Sequence, residues 1–234
     1  MLDTIAAIST PRGKGGVALI RISGSDAIAV GDVIFKPKNG KKLSEAPARY
    51  SVFGDVCMPH DGRQVDSGLA VTFRAPHSFT GEDTVEISCH GGVLVSAAVL
   101  ASALAAGARQ AEAGEFTRRA YAAGKLSLAE AEALGMLLDA RTGEQLRLAR
   151  GGMRGGVSRA AGEIAGGISA ILSDIYARID FPDEDLGELS VGEIADRAGA
   201  LLAATQRLGA TYSTGRAIAE GIPTVICGRT NAGK

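Results

Sequence analysis

The 234-residue sequence predicts an α+β fold, in which a domain of mixed strands and helices precedes a bundle of helices. Short β-like runs alternate with turns before about residue 115, and apolar residues recur at helical spacing after it. A third observation is the apolar run 222–227, which predicts a buried strand directly before a glycine-rich loop. We therefore predict three parts with bounds 1–118, 119–220 and 221–234.

Strands and helices alternate along the first part. Turn-flanked runs of apolar and β-branched residues predict five strands, at 5–8, 17–22, 50–53, 68–73 and 84–88. One helix is predicted from Ser25 or Asp26 to about Ile34, and a second follows a glycine pair and runs to Gly107. These elements predict an α/β domain built on a mixed sheet.

The second part is predicted to begin with a capped helix. Ser127 and Glu130 have the spacing of a capping box, in which each side chain bonds to the other residue's backbone N–H. Two glycine pairs, at 151–152 and 155–156, are predicted to mark the turn to the next helix.

Two further long helices complete the predicted bundle. Isoleucines at spacings of 4, 3, 4 and 4 form an apolar stripe along the second helix, which ends before Pro182 because proline cannot continue it. The third helix is predicted from about Val191 to Thr211, so three long helices form the bundle. The stripe consists of Ile164, Ile168, Ile171, Ile175 and Ile179.

Composition limits the functional classes. Hydrophobic residues make up 46% of the chain, which is enough for a core, and the net charge of -1 gives no general case for a nucleic-acid or membrane surface. The three cysteines, Cys57, Cys89 and Cys227, fit neither a disulfide framework nor a four-cysteine zinc site. The start of the sequence lacks a signal-peptide pattern, and no run reaches the ~18 apolar residues of a membrane span. We predict a cytoplasmic protein without membrane contact.

The sequence 228–234, GRTNAGK, has the pattern G-x-x-x-x-G-K of a phosphate-binding loop and lacks only the Ser or Thr that normally follows. In such loops backbone N–H groups surround the phosphates and the lysine contacts the β- and γ-phosphates. The sequence therefore predicts that a nucleotide-binding domain begins near residue 221.

Four further motifs carry a family resemblance. They are PRGKGGVALIRISG at 11–24, SFTGEDTVE with CHGG at 78–92, AGEFTRRA through Lys125 at 113–126, and IDFPDE at 179–184. Together with the terminal loop, and in this order, they resemble the MnmE (TrmE) family of tRNA-modification GTPases over essentially the whole chain.

The resemblance implies an N-terminal domain similar to the tetrahydrofolate-binding part of glycine-cleavage T proteins, then a helical domain into which a Ras-like G domain, here only begun, is inserted. It implies a homodimer formed through the N-terminal domains and a flavin partner protein, MnmG (GidA). With that partner the family adds a carboxymethylaminomethyl-type group to C5 of the wobble uridine of certain tRNAs. The implied cofactors are 5-formyl- or 5,10-methylene-tetrahydrofolate as one-carbon donor, GTP, K+ and Mg2+.

The resemblance implies that Arg21, Glu86 and Lys125 bind the folate. A pterin needs a carboxylate for its N–H groups, and the glutamate tail needs cations. Arg21 interrupts an apolar strand, and Glu86 stands between Val85 and Ile87 and so faces away from them. From the pattern alone, an exposed strand face or a simple ion pair is favoured over a ligand role, because charges on half-exposed strands are common.

The resemblance also implies that Asn231, Ala232, Gly233 and Lys234 bind the nucleotide and that Asn231 coordinates potassium. The sequence contains no Ser or Thr for Mg2+ after the loop, no D-x-x-G strand and no guanine-reading N-K-x-D. We expect no GTP hydrolysis by this chain alone.

Cys89 and His90 suggest a nucleophile beside a base. Adjacent residues of a strand point to opposite faces, however, and the family usually has glycine at position 89. We favour a structural role for both residues and for the glycine pair that follows them.

Two charged clusters leave alternatives open. The acids Asp180, Asp183, Glu184 and Asp185 could hold Mg2+ or Ca2+, but their spacing is not that of an EF-hand, which favours a solvated loop or a contact with the G domain. The second cluster consists of four arginines at roughly helical spacing: Arg147, Arg150, Arg154 and Arg159. They could contact tRNA phosphates or the flavin partner, or form an exposed helix face, which we favour.

Two hypotheses compete with the folate-binding GTPase part. One is a non-catalytic dimerisation or scaffold module of a P-loop NTPase, and the other is the regulatory module of an unrelated NTPase. The family's helical domain also includes a segment from beyond the G domain. We therefore expect the stripe from Ile164 to Ile179 to be partly exposed or covered by a partner chain.

Overall fold

The computed structural model describes residues 3–11, 13–182, 190–230 and 233. The chain divides into two compact units, Met1–Leu126 and Ser127–Lys234. The division lies after Leu126 rather than after residue 118, because Arg119 and Ala120 are buried within the first unit.

The first unit contains a seven-stranded sheet with the strand order β3-β4-β5-β6-β2-β1-β7. Neighbouring strands are antiparallel except for β1 and β7, which are parallel, so the predicted mixed sheet is confirmed. The strands are β1 (Ile5–Ile8), β2 (Val17–Ser23), β3 (Phe35–Pro37), β4 (Ser51–Cys57), β5 (Gln64–Phe73), β6 (Thr84–His90) and β7 (Arg109–Gln110).

The core lies between the sheet and two helices, α1 (Ala27–Ile34) and α2 (Val93–Ala105). Alternate residues of a strand face opposite sides. Ile20 on β2 and Ile87 on β6 are therefore completely buried against the helices, while the residues beside them face the other side of the sheet. A short 3-10 helix at Leu43–Glu45 and a third helix, α3 (Glu115–Ala122), complete the unit.

The predicted elements of the first unit are confirmed, with two additions. All five predicted strands and both helices are present, with ends shifted by a few residues. The strands β3 and β7 were not predicted, because three and two residues are too short to show an alternating pattern. Both lie at the edges of the sheet.

Helices are the only regular secondary structure in the described part of the second unit. It contains five helices where the sequence predicted three: α4 (Leu128–Asp139), α5 (Gly143–Met153), α6 (Gly156–Asp180), α7 (Val191–Ala210) and α8 (Tyr212–Glu220). The capping box of Ser127 and Glu130 is confirmed, with both reciprocal hydrogen bonds present.

A second capping box divides the predicted first helix. The Thr142 side chain accepts from Gln145 N at 3.2 Å, and Gln145 Oε1 accepts from Thr142 N at 3.2 Å. The chain therefore leaves the helix at Ala140, which is extended, and starts again at Gly143. The glycines at 151–152 lie inside α5 rather than in the turn, which is formed by Gly155 with φ +69°.

The apolar stripe of α6 is partly exposed, as expected. No residue of α6 or α7 is buried among those described, although the two helices pack on each other. Ile168 and Ile179 are exposed, and the other three isoleucines are half-buried.

The strand predicted at 222–227 is wrong. Residues 221–230 form neither strand nor helix, and Ile222, Val225 and Ile226 are all more than 70% exposed. A strand needs a neighbour to pair its backbone N–H and C=O groups, and the described residues provide none there. Among the described residues, no helix has the length and apolarity that a membrane crossing requires.

Candidate functional site

Arg21 and Glu86 meet on the sheet face opposite the helices α1 and α2. They are directly opposite each other in the antiparallel pair of β2 and β6, where opposite charges stabilise pairing. Arg21 Nε and Nη2 both contact Glu86 Oε1, at 2.8 and 2.7 Å. Glu86 Oε2 has no partner among the described residues, so one carboxylate oxygen is available to a ligand. The two side chains are 23% and 22% exposed.

Two aromatic rings flank the arginine. The Cζ atom of Arg21 lies 5.5 Å from the ring centroid of Phe79 and 5.5 Å from that of Phe116. These distances are within cation–π range. Phe79 belongs to the loop before β6, and Phe116 belongs to the first turn of α3. The pair and the two rings therefore combine a free carboxylate oxygen with flat apolar surface.

Arg119 joins the two segments that carry these rings. It is 6% exposed and lies on α3, three residues after Phe116. Its Nη1 donates to both carboxylate oxygens of Glu82, at 3.1 and 3.3 Å, and its Nη2 donates to Glu115 Oε1 at 3.0 Å. Glu82 follows Phe79 by three residues, so the ion pair ties the loop to the helix.

Asp3 and Arg109 extend this network. Arg119 donates to the Asp3 backbone oxygen and to Asp3 Oδ1, both at 2.8 Å, and Arg109 Nη2 donates to Glu115 Oε1 at 2.7 Å. Hydrogen bonds from Arg109, opposed by burial, lower the pKa of Glu115 to about 2 and that of Asp3 to about 2. The carboxylates therefore stay ionised near neutral pH and hold the network together.

Lys125 lies beside the same loop but not on the pair. Its Nζ donates to the backbone oxygen of Pro76 at 2.8 Å, and the side chain is exposed. Within the described residues it contacts neither Arg21 nor Glu86. The structure thus brings two of the three predicted folate residues together and leaves the third as an exposed cation near the loop that carries Phe79.

Cys89 and His90 face opposite sides of β6, as the strand pattern predicts. Burial raises the pKa of the Cys89 thiol to about 11, so it is a neutral thiol at pH 7 and a poor nucleophile. His90 is exposed, and its backbone N and ring Nδ1 each lie 2.8 Å from a carboxylate oxygen of Asp66. The next residue, Gly91, lies so close to the loop before β2 that an added Cβ would be 2.5 Å from Gly15 O. These contacts explain the segment structurally.

Most of the remaining predicted site residues lie outside the part of the chain that the structure describes. Asn231, Ala232 and Lys234 lie outside the described residues, and Gly233 lies in a short described piece with φ +73°. Of the acidic cluster, Asp180 ends α6, and the other three acids also lie outside the description. No group of metal-binding side chains occurs within the ranges that the structure describes.

Phe79 and Phe116 are the site residues that sequence reasoning missed. Both stand inside motifs that carry the family resemblance, in a chain with only six phenylalanines. The presence of these rare aromatic residues in two of the motifs would have indicated that they line the site. The network around Arg119 had none, because Asp3, Glu82 and Arg119 are far apart in sequence and have no fixed spacing.

An α+β domain, a helical unit and a terminal G-x-x-x-x-G-K sequence together define a class: multidomain proteins that carry a phosphate-binding loop. Residues 4–125 match the family described as "GTP-binding protein TrmE N-terminus", and residues 128–223 match "MnmE helical domain". The chain belongs to the MnmE (TrmE) family.

Curated relatives are similar in sequence to this chain over nearly its whole length. A tRNA modification GTPase MnmE from Moorella thermoacetica is 44% identical over 232 residues, which cover 99% of this chain and 50% of the relative. Proteins of the same name from Symbiobacterium thermophilum and Parabacteroides distasonis are each 42% identical, over 99% and 100% of this chain and 50% and 51% of the relatives. The chain therefore spans about half the length of the curated relatives it matches.

Proposed function

We propose that this chain is the folate-binding and first helical part of a GTPase that modifies C5 of the wobble uridine of tRNA in the cytoplasm. The observation that carries the proposal is the Arg21–Glu86 pair, which offers one free carboxylate oxygen and has two phenylalanine rings beside its arginine. A pterin is flat and carries adjacent N–H donors, so its chemistry fits this set of groups. A bound tetrahydrofolate, 5-formyl or 5,10-methylene, would supply the one-carbon unit.

Each residue has a distinct proposed role. Glu86 accepts the N–H donors of the pterin through Oε2, and Arg21 orients that carboxylate by holding Oε1. Phe79 and Phe116 provide apolar surface and exclude water. Lys125 is free to exchange the Pro76 carbonyl for a carboxylate of the folate tail, which is a stronger, charge-assisted partner.

The proposed nucleotide site is the terminal loop. Asn231, Ala232, Gly233 and Lys234 would bind the phosphates of GTP, and Asn231 would also bind K+. Mg2+ would be held mostly by residues that this sequence does not contain. A homodimer formed through the first unit and a flavin partner of the MnmG (GidA) type complete the proposed assembly.

Isothermal titration of the chain with 5-formyl-tetrahydrofolate tests the proposal. Glu86→Gln keeps the shape of the side chain but removes its charge, so we expect the Kd to rise by about 10- to 100-fold, the worth of a hydrogen bond to a charged group. Asp55→Asn is the matched control, because Asp55 pairs with Lys38 on the same sheet and should leave the Kd unchanged. Absence of binding by the wild-type chain, or equal effects of the two variants, would contradict the folate assignment.

A second candidate function is a dimerisation or scaffold module without folate chemistry. It is favoured by Phe53 and Leu69, which are paired across β4 and β5 and are 53% and 45% exposed on the sheet. If the chain dimerises, Phe53→Asp weakens the dimer in sedimentation, and no folate binds, this candidate replaces the first.

A further inference from the structure

The helix α5 and its C-cap residue, Arg154, carry a basic face, called here the arginine face of α5, in a chain whose net charge is only -1. From Gln145 to Gly162 the sequence contains no aspartate and no glutamate. The same stretch contains the arginines Arg147, Arg150, Arg154 and Arg159. The nearest acid, Glu144, is already paired with Arg147 at 2.8 Å. The remaining positive charge has no acidic partner on this helix.

Three of these arginines surround an open cavity of about 460 Å3. The cavity is lined by Gly143, Leu146, Arg147, Arg150, Gly151 and Arg154. Arg150 and Arg154 are exposed, and their guanidinium groups have no hydrogen-bond or ion-pair partner in the described parts of the chain. Arg159 lies beside the row, because its Nη2 donates to the backbone oxygen of Arg154 at 3.2 Å.

The chemistry of this face fits a row of phosphates. A guanidinium group presents its N–H donors in a plane that matches phosphate oxygens. At a rise of 1.5 Å per residue, Arg147 and Arg154 are about 10 Å apart along the helix axis, so the face is an extended row rather than a single anion pocket. The helix has no aromatic residue on which a base could stack. Contact with a nucleic acid would therefore involve the backbone and be independent of sequence.

We propose that the arginine face of α5 binds the phosphate backbone of RNA, which in the proposed function is tRNA. That the RNA is tRNA rests on the proposed function. The folate titration tests that function independently, because it uses a different ligand and a different site, the Arg21–Glu86 pair. Failure of RNA binding would leave the folate result standing, so the two failures can be told apart.

The test is fluorescence anisotropy of a labelled RNA anticodon stem–loop with the 234-residue chain at several salt concentrations. The variant Arg150→Ala/Arg154→Ala removes the two unpaired guanidinium groups and is compatible with helix, because alanine is the best helix former. We expect its affinity at low salt to fall by about tenfold and the slope of log K against log salt to fall by about 1 for each arginine removed. Circular dichroism of the double variant checks that its helix content equals that of the wild-type chain.

Arg207→Ala is the matched control. Arg207 is also exposed and has no ion-pair partner among the described residues, but it lies on α7 and not on the arginine face of α5. The proposal holds if the double variant loses affinity and slope while the control retains the wild-type values. Three outcomes would overturn it: no RNA binding by the wild-type chain, equal losses in the control and the double variant, or a double variant that binds RNA as the wild-type chain does, in which case its binding to the flavin partner tests whether the face serves that protein instead.

Discussion

Arg118 and Arg119 are neighbours on α3 with opposite surroundings. Arg119 is 6% exposed and contacts the carboxylates of Asp3, Glu82 and Glu115, whereas Arg118 is 65% exposed. A buried charge that loses its partner costs several kcal/mol, because the remaining charges stay out of water without compensation. The difference between the two residues is therefore energetic as well as geometric.

We expect Arg119→Ala to lower the free energy of unfolding of the first unit by about 3 kcal/mol. Arg118→Ala should lower it by less than about 1 kcal/mol, since the Arg118 guanidinium is exposed and Glu115 keeps its shorter contacts with Arg109 and Arg119. Urea denaturation followed by circular dichroism measures both. Similar values for the two variants would show that the Arg119 network does not hold the unit together.

Cys89 provides a second test at the same scale. Because burial raises its thiol pKa to about 11, we expect no alkylation by iodoacetamide at pH 7.5 in the folded chain. Burial also raises the pKa of Cys57, whereas Cys227 is exposed and should react. Mass spectrometry of the digested chain distinguishes the three sites. Rapid labelling of Cys89 before Cys227 would revive the nucleophile hypothesis.

Some site residues were visible in the sequence and others were not. The orientation of Glu86 followed from the buried Val85 and Ile87 on either side of it, because a strand alternates its faces. The assignment of Glu86 and Arg21 to one site followed from the family motifs and not from spacing, since 65 residues separate the two. The contacts of Arg119 with Asp3 and Glu82 required the folded chain.

At the scale of elements, the glycines of α5 show why composition misled the helix prediction. Gly151 and Gly152 were predicted as a turn, yet both lie in the last turns of α5. An added Cβ on Gly152 would lie 2.7 Å from Ala133 Cβ on α4, whereas one on Gly151 would meet nothing within 4 Å. Gly152 therefore allows two helices to pack closely.

We expect Gly152→Ala to destabilise the second unit by about 1–3 kcal/mol, because Ala133 Cβ is fixed to the backbone and cannot move aside. Gly151→Ala should instead stabilise it by up to about 1 kcal/mol, the difference in helix propensity. Thermal unfolding followed by circular dichroism compares the two. A gain in both variants would show that α4 and α5 are not in close contact at this point.

Element boundaries were predictable where a local bonding pattern sets them. The capping box at Ser127 predicts the start of α4, and the equivalent pattern from Thr142 to Gln145, which the prediction of a single helix did not include, sets the start of α5. The terminal strand at 222–227 failed for a different reason. Its apolar composition was correct for a strand, but strand formation depends on a neighbour that local sequence does not reveal.

At the scale of the whole molecule, the two units differ in how much they bury. The sheet unit has completely buried residues such as Ile20 and Ile87, whereas α6 and α7 have none among those described. Regions with few buried apolar contacts open more easily. We expect amide hydrogen exchange to be slowest in β2 and β6 and fastest among the helices in α6, α7 and α8, since α8 also has no buried residue among those described. Equal protection of α6 and β2 would mean that the Ile164–Ile179 stripe is covered in solution.

In the proposed function, folate binds at the Arg21–Glu86 pair of the first unit. A crystal structure of the chain with 5-formyl-tetrahydrofolate would show whether it does. We predict that the ligand lies against Arg21 and Glu86, with its pterin N–H groups in hydrogen-bond contact with Glu86 Oε2 and its tail near Lys125. A ligand bound elsewhere, or a pair that remains unliganded at saturating folate, would contradict the claim.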